Sequence, residues 1–151
     1  MSLKYTIKHF GTLATTELYH IIRLRIEVFG VEQKCPYQDC DGRDLDSYHI
    51  MGTDDTGELH AYCRLLDKGV SYADYASIGR VITSSAFRGV GEGKKLMRYA
   101  IEEIAEKYPG KKVKISAQSY AKSFYESLGF EAVGEEYLED DIPHIGMVLK
   151  S

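Results

Sequence analysis

No run of about 18 apolar residues occurs anywhere in the 151-residue chain, so no transmembrane helix is expected. The opening, Met1-Ser2-Leu3-Lys4, likewise lacks the apolar stretch of a signal peptide. Positive charge is not in excess: 19 Lys and Arg stand against 23 Asp and Glu, a net −4 with a pI near 5.7. Without a basic stripe, a nucleic-acid partner is not expected. The cysteines number three, which makes no disulfide framework. Cys35, Cys40 and His49 fall close together in the chain, yet no second ligand pair completes a zinc pattern, and no metal is expected. Free thiols in a reducing cytoplasm are the better reading. No tract is polar and aromatic-poor enough to be disordered, and neither repeat nor linker interrupts the chain. With 44% hydrophobic residues, 1–151 can close one core as a single domain.

The apolar periodicity predicts an alternation of strands and helices. Residues 4–10 read as an edge strand. Thr15 or Thr16 caps a helix in which Leu18, Ile21, Ile22, Ile26 and Phe29 form one face. Gly30 and Pro36 bracket a second short helix or turn, and 34–46 is a loop rich in Asp. Strands follow at 47–53, 58–67 and 77–83, the first two joined by the hairpin signal Asp54-Asp55-Thr56-Gly57. The strongest helix covers 91–107, where Gly93, Leu96, Met97, Ala100, Ile101, Ile104 and Ala105 repeat with helical period. A strand at 111–116, a helix at 119–128 with Gly129 as its C-cap, and strands at 130–135 and 143–149 finish the chain. The fold class is α/β or α+β with a mixed sheet.

Between the strand at 77–83 and the long helix lies Arg88-Gly89-Val90-Gly91-Glu92-Gly93. Glycines let a backbone turn sharply and approach a ligand, and free N–H groups at a helix start attract an anion. Arg88 adds a guanidinium fork suited to phosphate oxygens. A Walker A loop fails here, because Arg88 stands where its first glycine belongs and Lys95 where its hydroxyl belongs. A dinucleotide fingerprint starting at Gly89 fails too, because Lys94 takes the place of its third glycine.

The pattern that fits is Arg/Gln-x-x-Gly-x-Gly/Ala, met by Arg88, Gly91 and Gly93. It resembles the pyrophosphate loop of the GNAT superfamily, the Gcn5-related acetyltransferases. A second match lies at 117–130, AQSYAKSFYESLGF, where Ala121, Tyr125, Gly129 and Phe130 keep the spacing of the other GNAT signature. Gln118 stands at that signature's usual Asn. The runs VFGVEQKCPYQDCDGRD (28–44) and EDDIPHIGM (139–147) are similar to the ElaA-like branch, with Gly30 a departure from it.

The resemblance implies a sheet of about six to seven strands, splayed between the fourth and fifth and flanked by about four helices. It implies acetyl-CoA as cosubstrate, bound by Val81, Ile82 and Thr83 along the splayed strand, by Arg88, Gly89, Val90, Gly91, Glu92 and Gly93 in the loop, and by Gln118 and Tyr125. Gly79 suits a bulge in that strand. Acetyl transfer to an amine requires a neutral amine, a donor to the thioester oxygen and a proton for the leaving thiolate. Val81 N–H is the expected oxyanion donor. Tyr125 is the expected acid, since a phenol of pKa near 10 is protonated at neutral pH and a thiol titrates at roughly 8.5. For the base, Glu32, Asp41, His49 and His144 stay open, the two histidines having a suitable pKa. Glu32, Gln33, Tyr37 and Asp41 are expected to line the acceptor side, and the acids of 38–46 suit a cationic acceptor. The expected partner is a small-molecule or peptide amine, met by a monomer or homodimer. A noncatalytic acyl-CoA-binding module is the alternative.

Overall fold

A computed structural model describes residues 2–34 and 38–150. Its strands are β1 (Lys4–His9), β2 (Tyr48–Thr53), β3 (Leu59–Leu66), β4 (Ser77–Thr83), β5 (Lys114–Gln118), β6 (Phe130–Glu139) and β7 (Ile142–Leu149). They form two antiparallel sheets, ordered β1-β2-β3-β4 and β5-β7-β6. The helices are α1 (Thr15–Arg25), α2 (Glu92–Lys107) and α3 (Lys122–Glu126).

All eight residues of β3 are buried, as a strand covered on both faces requires. Ala61, Cys63 and Leu65 face α2, whose Leu96, Met97, Ala100 and Ile104 are buried against them. Each such leucine, methionine or isoleucine stabilises by roughly 1.5–3 kcal/mol if fully removed from water. Tyr62 points the other way, into a cluster with Ile21, Leu24 and Val28.

The sequence and the structure part at α1. Thr15 is already helical and Ala14 is the N-cap; Glu17 Oε1 accepts the Ala14 N–H at 2.8 Å, satisfying an otherwise orphaned donor. The expected second helix is a π-helical continuation, Ile26–Glu32, in which Gln33 N–H donates to Val28 O across five residues. Three α-helices are therefore present among the described residues, rather than about four. Ile26 is 51% exposed while Leu24, Arg25 and Val28 are buried. Gly30 lies exposed, and a Cβ there would meet only Ile26 Cγ2 at 3.6 Å. β6 runs longer than its alternation suggests because Gly134, with φ 77°, absorbs a register shift between Val133 and Tyr137.

The two sheets touch at one point. A parallel bridge joins Ala76 to Val113, with Ala76 N–H donating to Lys112 O and Lys114 N–H to Ala76 O. Beyond it β5 pairs with β7, not with β4, and the edges of β4 and β5 part to leave a cleft.

Candidate active site

The cleft holds about 520 Å³. Its β4 wall runs from Ile78 to Thr83, and its β5 wall presents Ile115, Ser116 and Gln118. The β4 wall is bulged. Tyr62 pairs with Ile82 and Arg64 with Gly79, leaving Arg80 and Val81 without partners of their own in the ladder. The residue in the strained conformation is Arg80, at φ 52°, not Gly79. A buried ion network holds it there: Arg80 Nε donates to Asp39 Oδ1 at 3.0 Å, and Arg25 Nε donates to the other oxygen at 2.7 Å.

That network settles two expected site residues. Asp41 receives Arg64 Nη1 and Nη2 at 2.9 and 2.7 Å and does not line the cleft. Burial opposes its ionisation, but Arg64 beside it wins and holds the carboxyl well below the usual range. Asp44 likewise bonds Arg25 and Arg64. Asp39, Asp41 and Asp44 of this loop are thus neutralised by arginines from α1, β3 and β4. His49 is also away from the cleft: it is fully buried, its Nε2–H donating to Asp44 O at 2.9 Å and its Nδ1 accepting from Tyr62 OH at 2.6 Å. With both nitrogens occupied it has no free pair to serve as base. Tyr37 lies outside the described residues, and so does Cys35 of the Cys/His pattern.

Burial lowers the His49 pKa, which makes a stability prediction. The unfolded chain protonates first as pH falls, so this contribution is complete above about pH 6.5 and is lost below it. Thermal melting between pH 7.5 and 5.5 should fall less steeply in His49→Gln, which keeps a donor and an acceptor but cannot titrate. Equal slopes in both proteins would remove His49 as the cause.

The other expected residues gather at the cleft. Glu32, Gln33, Val81, Ile82, Thr83, Arg88, Gln118, Tyr125 and His144 all line it. The Ile82 side chain is buried, so only its backbone can face a ligand. Arg88 donates from Nε and Nη2 to Thr83 O at 3.2 and 3.1 Å and is paired with Glu32. Gln118 Nε2 donates to Gln33 Oε1 at 3.1 Å, tying the end of β5 to the π-helical segment.

Gly89, Val90, Gly91, Glu92 and Gly93 sit beside the cleft rather than in its lining. Gly89 and Gly91 have φ of 75° and 83°, and no atom lies within 4 Å of a Cβ built on either. Gly91 is the N-cap of α2 and no side chain caps that end, so its first amides can receive an anion. The Glu92 side chain is turned away: it is buried and accepts a hydrogen bond from Tyr5 OH.

Two groups in the lining can take part in proton transfer. Tyr125 makes edge contacts with Phe124 and Phe130, with ring centroids 5.1 and 5.9 Å apart. Burial raises its pKa, so the phenol holds its proton throughout the neutral range. His144 comes from β7, 7% exposed, and its Nδ1–H donates to Ile142 O at 2.7 Å. A carbonyl can only accept, so this bond places the proton on Nδ1 and leaves the Nε2 lone pair toward the cleft. Among the described residues Nε2 makes no hydrogen bond; its nearest charged neighbour is Glu139 Oε2 at 3.6 Å.

Comparison with known proteins now decides the family. Residues 21–151 match the profile of an acetyltransferase (GNAT) domain. The chain belongs to the GNAT family. Protein ElaA of Escherichia coli K12 is 46% identical over 141 residues, 92% of this GNAT chain and 91% of that one. A crystal structure of an acyl-CoA N-acyltransferase from Pseudomonas aeruginosa superposes with a TM-score of 0.92 at 49% identity, covering 99% of this chain and 100% of that one. The crystal structure of E. coli ElaA gives 0.91 at 42% identity, covering 98% and 99%. The chain is thus ElaA-like, with a GNAT acyl-CoA N-acyltransferase fold split between β4 and β5.

An acyl-CoA fits the GNAT cleft by the chemistry of its donors: uncapped amides and Arg88 for the pyrophosphate, and an unpaired strand edge for the pantetheine amides. Sequence reasoning missed Arg80, Ser116 and Glu139, which also line the cleft. The acidic run before His144 was the available signal for Glu139. Arg80 carried none, because a left-handed arginine is set by its distant aspartates. Away from the cleft, Asp54, Glu58 and His60 bring ligand-type atoms within 4.8 Å of one another. Asp54 Oδ1 there accepts from Thr56 N, Thr56 Oγ1 and Glu58 N, which accounts for it as a turn lock. Among the described residues no helix is long and apolar enough to cross a membrane.

Proposed function

We propose that this protein is an N-acetyltransferase that moves the acetyl group of acetyl-CoA to a primary amine of a small molecule or peptide by direct attack. The observation that carries the reading is the meeting of Tyr125 and the unbonded His144 Nε2 in one cleft, beside the bulged β4 edge. Neither group is needed merely to hold an acyl-CoA. A cytoplasmic setting suits the free thiols Cys40 and Cys63.

His144 Nε2 accepts a proton from the incoming ammonium and frees the nitrogen lone pair. Val81 N–H, at the bulge, donates to the thioester oxygen as it gains charge. A C–N bond forms and the C–S bond breaks. Tyr125 gives its proton to the departing sulfur and is refilled by the second proton that the nitrogen loses. Of the two protons removed from the ammonium, one ends on sulfur and one passes from His144 to solvent. Arg88 and the α2 amides anchor the cosubstrate while Gln118 and Gln33 brace the cleft between its two halves.

The test is free-thiol release from acetyl-CoA with a panel of amines and a no-acceptor control. Acceptor-dependent release is expected. CoA binding without release across small amines and peptides would leave a noncatalytic acyl-CoA-binding module. Tyr125→Phe should lower kcat by about tenfold to a hundredfold, at the low end of general-acid contributions, with CoA affinity little changed. An unchanged rate would return Tyr125 to a packing role among Phe124 and Phe130.

A further inference from the structure

The charged side chains around the acceptor end of the cleft do not cancel. Of the two arginines in the lining, Arg80 is held by Asp39 and Asp41, and Arg88 by Glu32 and the Thr83 carbonyl. Glu139 and Asp140, from the tip of the β6–β7 hairpin, line the same cleft. Among the described residues neither is paired with a lysine or arginine. Glu139 is half exposed; its Oε1 accepts from Ser116 Oγ at 3.3 Å, and its Oε2 lies 3.6 Å from His144 Nε2.

A second observation points at the same spot independently. His144 is more than nine-tenths buried, yet the Nε2 acceptor lacks a hydrogen bond among the described residues and opens into the cleft. A carboxylate oxygen and an imidazole lone pair 3.6 Å apart make two acceptors that one ammonium group can satisfy together. Asp140 extends the negative field outward along the cleft.

We propose that the acceptor is a di- or polycationic amine: one ammonium is held between Glu139 Oε2 and His144 Nε2, and a further positive charge is recognised by Asp140. This rests on the acetyl-transfer reading and names its substrate class. An acceptor carrying its own carboxylate meets the uncompensated hairpin and is disfavoured.

The probes are linear amines of similar length that differ chiefly in the charge of the far end: 1,4-diaminobutane, pentylamine and 4-aminobutanoate. With acetyl-CoA, kcat/KM should fall in that order, with a spread on the order of tenfold or more from first to last, as two carboxylates near a protein surface imply. Glu139→Gln is isosteric. Asp140→Asn keeps a residue type that tolerates the φ of 52° at this turn, so both variants should fold. The double variant should shrink the spread to about threefold or less, since near-surface pairs at higher effective dielectric are weak. Equal rates across the series in the parent would overturn the proposal, as would an unaltered spread in the double variant; acetyl transfer itself would stand in either case. If no probe is acetylated, titrating the CoA-loaded protein with the three amines decides. Preferential binding of the diamine, lost in the variant, supports charge recognition while acetyl transfer falls. Binding without that preference, or no binding, overturns the recognition.

Discussion

His144→Gln should lower kcat/KM by about a hundredfold or more, within the range typical of a lost general base. The geometry makes the expectation specific. The Ile142 carbonyl fixes the Nδ1–H tautomer, so the lone pair that glutamine cannot supply as a base is the one facing the cleft. Glutamine fills similar space, and its amide can still donate toward Ile142 O. CoA affinity should therefore hold, and the melting temperature should move little. A variant with full activity would shift the base to Glu139 or to water.

The second large effect is expected in the loop. Gly91→Val places a β-branched residue at φ 83°, where only glycine sits without strain, and nothing nearby compensates. The cost of such a conformation is about 1–3 kcal/mol, so the turn should relax to another shape. Because Gly91 is also the N-cap of α2, relaxation re-aims the first amides of that helix away from a common anion. CoA dissociation constants from calorimetry should rise by about tenfold or more. Gly93→Ala is the gentler companion: its φ is not positive, and its Cβ would meet Phe124 Cζ at an ordinary 3.6 Å. Parent-like CoA affinity in Gly91→Val would show that the loop holds no pyrophosphate.

Much of this site can be read along the chain because its elements are local. A glycine-rich turn before a helix needs only adjacent residues to form, so Arg88 to Gly93 are legible as an anion loop from spacing alone. The same is true of the α2 face; Gly129 does take φ 101°, but it lies two residues beyond the α3 C-cap, which is Ser127. Other features depend on contacts between distant residues. Arg25, the last residue of α1, lies in the interior, where Asp39 and Asp44 receive it. No periodicity argument places an arginine there, since an isolated buried charge would be prohibitively costly and only its partners make it tolerable.

The sequence by itself determined the order of strands and helices, the anion loop, the Tyr125 signature and, through resemblance, the family. These rest on hydrophobic period and on backbone preferences that act over a few residues. Only the tertiary structure showed which of the candidate histidines reaches the cleft and which of the two acidic segments is held by arginines. His49 and His144 are equivalent as residue types; they differ because β2 carries one into the interior beside Tyr62 while β7 carries the other into the lining of the cleft. The acids of 38–46 and those of 139–141 look alike in composition. Three arginines, brought together from α1, β3 and β4, silence Asp39, Asp41 and Asp44, whereas the hairpin keeps Glu139 and Asp140 in the cleft without such partners, and that difference exists only once the chain is folded.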